Sequence, residues 1–183
     1  MRLLNDLHIP PENILVAGDS AGGGLSLALL MYLRDNKYPL PSGAILMSPW
    51  VGEYQWIVVL CRFLKPDSKP SDLTMSCDSW DCNAEFDVVP MPKSGDHLNP
   101  VSCYLGDDLD KYVTHPYASP LFGDFHGLPP LLIQSGDSEV LRDEITLLAH
   151  KASMSGVNVR HELYEDAVIP IFDLTQVKTN IKF

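Results

Sequence analysis

Ile14-Leu15-Val16-Ala17-Gly18-Asp19-Ser20-Ala21-Gly22-Gly23 is the stretch on which the fold turns. Residues 14–18 are apolar and β-branched at two positions, with Pro10-Pro11 upstream and glycines behind, which reads as a buried parallel strand. From Ala21 to about Asn36 the pattern changes. Leu25, Ala28, Leu29, Tyr32 and Leu33 recur at helical spacing, while Leu27, Leu30 and Met31 fill most of the opposite face. A helix apolar nearly all round is expected to be buried. Lys37 to Pro41 ends it, and 43–48 (Gly43-Ala44-Ile45-Leu46-Met47-Ser48) reads as a second buried strand. Strand, helix and strand in this order build a parallel sheet, so the fold class is α/β.

Further along, 131–135 after Pro129-Pro130 predicts a third strand. Leu141 to Ser155 predicts a helix with Leu141, Ile145, Leu148, Ala149 and Ala152 on one face, and Gly156 is placed to terminate it. Residues 157–164 predict a fourth strand, in which Val157, Val159, His161 and Leu163 face inward and Asn158, Arg160 and Glu162 outward. Between about Gly52 and Pro116 the sequence is rich in Pro, Asp, Ser and Cys and has no sustained period. A structureless stretch of that length fits poorly inside a compact domain.

Gly18-Asp19-Ser20-Ala21-Gly22 is a G-x-S-x-G element between a strand and a helix, the context a nucleophile elbow requires. The sharp turn is expected to hold Ser20 in strained backbone and to lift its Oγ above the carboxyl edge of the sheet. Gly18 and Gly22 are expected because side chains there would clash across the turn. The backbone N–H of Ala21, at the helix N-terminus, points to where an oxyanion would form.

Composition limits the alternatives. The 183 residues are 45% hydrophobic and 20% charged, enough apolar material for a core. Lys plus Arg number 13 and Asp plus Glu 24, a formal net charge of −11. Such a chain does not bind nucleic acid or an anionic membrane by bulk electrostatics. No apolar run reaches about 18 residues, so no integral membrane segment is expected. Residues 1–13 lack the long apolar core of a signal peptide, which points to the cytoplasm. Cys61, Cys77, Cys82 and Cys103 do not have zinc-ligand spacing and read as unpaired thiols.

Gly18-Asp19-Ser20-Ala21-Gly22-Gly23 resembles the nucleophile motif of the hormone-sensitive-lipase-like (GDXG) branch of the α/β-hydrolases, the alpha/beta hydrolase fold-3 group. Ser48-Pro49-Trp50, residues 115–121 (HPYASPL), residues 127–133 (GLPPLLI), Leu141-Arg142-Asp143-Glu144 and Tyr164-Glu165-Asp166 match the same family in the same order. The resemblance implies hydrolysis of small-molecule carboxylic esters by a Ser–acid–His triad, with no metal or organic cofactor. Ser20 matches the nucleophile. Spacing from Leu141 puts Glu139 at the acid position, with Asp137 the alternative. Asp143 and Glu144 read instead as carboxylates at a helix N-terminus.

Two parts of the family pattern have no match. The family's His follows the acidic pair after the last strand, whereas Glu165-Asp166-Ala167-Val168 continues into Ile169-Pro170 and no His occurs after His161. The His-Gly-Gly-Gly loop that supplies further oxyanion donors lies upstream of the elbow in the family, and this sequence starts too late to contain it. The expected architecture is therefore a partial α/β-hydrolase fold: a parallel sheet with flanking helices, lacking the N-terminal strands and cap. The elbow strand is expected at an exposed edge. The family-like domain is expected over 1–168, interrupted by an atypical insertion at 52–71 and followed by a non-family tail at 169–183. Removing 52–71 joins Val51 to Asp72 in a family-like reading, and Val51-Gly52-Glu53-Tyr54 is encodable across the splice-donor form GT-GAG-T. This suggests a retained intron or an alternative exon, with a genuine lineage-specific insertion the alternative. Three functions compete: a serine ester hydrolase, a truncated non-catalytic remnant or pseudoenzyme, and an arylformamidase-like amide hydrolase. The oligomeric state is not legible.

Overall fold

The structure is a computed structural model that describes residues 2–52, 79–88, 100–112 and 114–165. The expected insertion at 52–71, apart from Gly52, and the expected tail at 169–183 lie outside the described residues, as do Cys61 and Cys77. The described helices are α1 (Arg2–Asn5), α2 (Ser20–Asp35), α3 (Ser79–Asn83), α4 (Pro100–Leu105), α5 (Leu109–Tyr112) and α6 (Arg142–Met154). The strands are β1 (Leu15–Asp19), β2 (Gly43–Met47), β3 (Leu131–Gly136) and β4 (Val159–Tyr164), each within a residue or two of the segment the sequence predicts. They form one sheet in the order β1-β2-β3-β4. Every pairing is parallel. The elbow strand β1 is at the edge of the sheet, as expected. Within the stretch that showed no periodicity, the described residues carry the short helices α3, α4 and α5.

The register sorts the strand residues onto two faces. Val16, Ala44, Leu131 and Val159 stand side by side, as do Gly18, Leu46, Ile133 and His161. These rows meet the core, in which Leu27, Leu30 and Met31 of α2 pack with Ile145, Leu148, Ala149 and Ala152 of α6, and with Phe125 between elements. Helix α2 lies on β1 and β2, and α6 on β3 and β4. The alternate row, Ala17, Ile45, Leu132 and Arg160, is exposed or half-buried throughout.

That asymmetry corrects two expectations. Strands β1 and β2 read as buried on both faces, yet Leu15 and Ala17 are exposed and Ile45 is only half-buried. Helix α2 read as buried all round, yet Leu25, Leu29 and Tyr32 are 67%, 41% and 45% exposed. Those three recur at i, i+4 and i+7 and form one stripe. Apolar composition shows that a face prefers burial, but burial itself needs a partner, and no described element covers these faces. The fourth strand needs a smaller correction: Leu163, expected inward, is exposed at the strand's far end.

The end of α6 follows the sequence closely. Gly156 has φ +81°. Its N–H donates to the Ser153 carbonyl at 2.9 Å, and the Val157 N–H donates to the Ala152 carbonyl at 3.1 Å. This pair of bonds is the Schellman arrangement, in which a left-handed residue turns the chain back over the last carbonyls. It delivers the chain directly into β4.

Candidate active site

Because all four strands are parallel, the loops after β1, β2 and β3 open at the same carboxyl edge. Ser20, Ser48 and Asp137 to Glu139 therefore share one end of the sheet, where α/β folds place their sites.

Ser20 is the first residue of α2, directly after the last residue of β1. Its φ is +48°, left-handed backbone for a residue that is not glycine. Such a conformation costs on the order of 1–3 kcal/mol and persists only where the surroundings impose it. Here close packing imposes it. A Cβ on Gly18 would run into the Gly22 carbonyl and come within 2.8 Å of the Gly23 nitrogen. A Cβ on Gly23 would come within 2.7 Å of Pro49 Cβ, and one on Gly24 would strike the Trp50 carbonyl. Strand, turn and helix can approach this closely only with glycine at those positions. Gly22 corrects the expectation made for it. A Cβ there would meet only Asp19 Oδ1, at 3.9 Å, so the clash across the turn belongs to Gly18. Ser20 is half-buried and Ala21 exposed. Ala21 lies in the first turn of α2, where N–H groups lack intrahelical carbonyls and the helix dipole favours negative charge. Asp19 precedes the helix as its N-cap residue without a side-chain capping bond.

The segment after β2 links the elbow to the loop after β3. The Trp50 N–H donates to the Ser20 carbonyl at 2.9 Å. Ser48 Oγ donates to Glu139 Oε1 at 2.7 Å. Ser48 also has positive φ, +41°, and is buried. The sequence flagged Ser48 only as part of a matching triplet. Its contact with Glu139 spans 91 residues and leaves no local periodic signal.

Glu139 is 3% exposed, whereas Asp137 is half-buried. Asp137 Oδ1 accepts from the neighbouring Ser138 Oγ at 3.0 Å. The loop that carries both is held by α3 and the turn after it. Asn83 Nδ2 donates to the carbonyls of Asp137 and Glu139, each at 2.8 Å. Ser79 Oγ donates to the Val140 carbonyl at 2.7 Å, and the Val140 N–H donates to Asp87 Oδ2 at 2.7 Å. Asp143 and Glu144 lie in the first turn of α6, as expected for dipole-stabilising carboxylates. Each also ties in a distant segment: Asp143 Oδ2 accepts from the Ser79 N–H at 2.9 Å, and Glu144 Oε1 from the Val51 N–H at 3.1 Å.

The described histidines are elsewhere. Arg34, near the end of α2, donates to the His126 carbonyl. Arg34 is fourteen positions along the helix from Ser20, about 21 Å away. His115 belongs to the same end, since its ring packs on Tyr117, whose hydroxyl donates to Asp35. His150 is exposed on α6, and His8 is exposed ahead of β1. His161 Nε2 is 3.0 Å from Ser135 Oγ. Ser135 is fully buried and His161 is half-buried, so the imidazole is engaged with the core face of the sheet. Burial, and then the nearby charge of His150, hold the His161 imidazole below its ordinary pKa. Among the described residues no group of three or more His, Cys, Asp and Glu side chains is arranged to hold a metal ion. Nor is any described helix long and apolar enough to cross a membrane.

Comparison with known proteins places the fold. Residues 3–172 match the alpha/beta hydrolase fold family. An esterase of Acinetobacter venetianus is 33% identical over 159 residues, covering 85% of this chain and 44% of its own length. An acetyl-hydrolase of Streptomyces hygroscopicus is 34% identical over 161 residues, covering 88% and 46%. Among solved structures, an esterase of the bacterial hormone-sensitive lipase family superposes with a TM-score of 0.70 at 32% identity, covering 93% of this chain and 49% of that one. The chain thus spans about half the length of the relatives it matches.

Proposed function

We propose a function for this chain, which belongs to the alpha/beta hydrolase fold family in its hormone-sensitive-lipase-like branch: it carries the nucleophile and acid of a carboxylic ester hydrolase, and the 183-residue polypeptide by itself does not turn over. Ser20 is the nucleophile, Glu139 the acid, and the Ala21 N–H an oxyanion donor. The observation that carries this reading is the pair of hydrogen bonds that run from the elbow and from the acid loop to one segment, Trp50 to Ser20 and Ser48 to Glu139. Glu139 is preferred to Asp137 because it is buried and its carboxylate is bound from the segment after β2. The Asp137 carboxylate binds its own neighbour.

In this chemistry Ser20 Oγ attacks the ester carbonyl carbon, and the carbonyl oxygen becomes an oxyanion beside the Ala21 N–H. The hydroxyl proton must pass to a base, because a serine hydroxyl is a weak nucleophile at neutral pH. An imidazole oriented by Glu139 would take that proton, collapse of the intermediate would expel the alcohol, and water would release the acid. No described histidine of this chain stands at the carboxyl edge. Loss of a triad base costs about 10⁶-fold in turnover. The residual of roughly 10³–10⁴ over water depends on a complete oxyanion hole and on substrate binding.

The 183-residue polypeptide is expected to hydrolyse short-chain aryl esters no faster than background and to take no label from a fluorophosphonate. A counterpart that carries the family's His-Gly-Gly-Gly loop, lacks residues 52–71 and has His in place of Ile169 in a family-like tail is expected to be active, and to lose activity with Ser20→Ala. Ser20-dependent labelling of the polypeptide as it stands would show that a histidine already in the chain serves as base, and would overturn the non-catalytic part of the reading.

A further inference from the structure

We infer that Ser48 is the positioning residue of the Glu139 carboxylate, fixing Oε1 from the end of β2 and so selecting Glu139 over Asp137 as the acid. This rests on the reading of Glu139 as the triad acid and adds to it a residue just past the end of a different strand. Two demands meet at position 48. The backbone demands positive φ, +41°, at a buried residue that precedes a proline. The residue before a proline ordinarily sits in extended backbone, and positive φ favours glycine. Glycine alone would satisfy that demand at no steric cost. Serine at this position is explained by the second demand, the hydrogen bond of 2.7 Å from its hydroxyl to Glu139 Oε1. A strained backbone that aims a polar group is the pattern found at functional sites.

The geometry around Ser48 makes that aim stiff. The Ser48 N–H donates to the Gln134 carbonyl of β3 at 2.8 Å, so the residue is tied to the strand that leads to Glu139. Two residues on, Trp50 is tied to the Ser20 carbonyl. On the other side Asn83 holds the Glu139 carbonyl. Acid and elbow are thus referenced to one short segment, so Ser48 transmits the placement of β2 to the carboxylate. A hydrogen bond to the charged form stabilises it, and its loss favours protonation.

The test is a pH titration of the glutamate side-chain carboxyl carbons by NMR in the full 183-residue chain, with Glu139→Gln to assign the signal. Ser48→Ala removes the hydroxyl and keeps the strain. Ser48→Gly removes both and accepts the positive φ, so it folds even if the alanine variant does not. Ser48→Gly is expected to move the Glu139 titration midpoint upward and to change its carboxylate chemical shift, with Ser48→Ala doing the same wherever it folds. A merely structural role for Ser48 would alter thermal stability and leave both signals in place. A Glu139 midpoint unchanged in folded Ser48→Gly would overturn the inference. The titration is independent of hydrolysis: fluorophosphonate labelling at Ser20 would overturn the non-catalytic reading and leave the positioning role standing, while an unmoved Glu139 would do the reverse.

Discussion

Gly18 and Gly22 look equivalent in a G-x-S-x-G string, but the structure gives them opposite roles. At Gly18 the obstacle to a side chain is backbone, the carbonyl of Gly22, which cannot move without dismantling the first turn of α2. Gly18→Ala is therefore expected to cost about 3 kcal/mol, the upper end of overpacking penalties. At Gly22 a methyl group would meet one carboxylate oxygen at ordinary contact distance, inside a helix whose backbone a glycine weakens. Gly22→Ala is expected to stabilise the fold by about 0.5–1 kcal/mol. Urea unfolding of the two variants checks both signs. Equal losses at both positions would show that the elbow is not packed as described. The motif was legible in the sequence because its context is local, a strand before it and a helix after it. Which of its glycines is sterically required was not, because that depends on how near a backbone turn brings one carbonyl.

At the scale of elements, strand β4 couples stability to pH. His161, opposite Ile133 in the sheet, is held below the ordinary histidine pKa by burial, with the His150 charge adding to it. The unfolded chain then binds a proton first as pH falls below about 6.5, the ordinary histidine value. Stability therefore drops as pH falls from there toward the depressed folded pKa, and levels off beyond it. One residue on, the Glu162 carboxyl is held low, chiefly by the hydrogen bond from Gln134 Nε2 at 2.9 Å, with Tyr164 OH contributing. Its stabilisation is present above 4.5, the ordinary value, and is lost as pH falls through its lower folded pKa. Denaturation midpoints measured against pH are expected to fall in these two windows. Glu162→Gln is expected to flatten the lower one and leave the upper; an unchanged lower window would remove Glu162 as its source. The alternation of Val159 and His161 against Arg160 was readable from the sequence, and so was the strand. The partners Gln134 and Ser135 come from a strand more than twenty residues away, and no periodicity encodes them. Ser48 was missed for the same reason: positive φ in a serine is imposed by contacts and not by residue type.

At the largest scale the deciding feature, among the described residues, is one-sided coverage. The sheet buries one face against α2 and α6. Ala17, Ile45 and Leu132 stay accessible on its other face, Leu15 and Ala17 line the outer edge strand, and Leu25, Leu29 and Tyr32 form a stripe on α2. An apolar edge strand with unpaired backbone groups is a template for association. Contiguous apolar surface adds a non-directional drive of about 25 cal/mol per Å² covered. Against this stands a formal net charge of −11, whose repulsion reaches only about 8 Å at physiological ionic strength. The short-range attraction therefore wins once chains collide, and the 183-residue polypeptide is expected to associate, more strongly as salt is raised. A pair of substitutions separates the two forces. Leu25→Glu with Leu29→Lys breaks the stripe on α2 at exposed positions, places an acidic residue four before a basic one in the favourable helical order, and leaves the net charge at −11. Because the charge is unchanged, any gain in solubility reports on apolar surface alone. Sedimentation velocity at low and high salt is expected to show the polypeptide shifting to larger species and the double variant shifting less, with the thermal midpoint little altered. A monomeric, cooperatively unfolding polypeptide at high concentration in high salt would show that its exposed apolar stripe and edge do not drive association.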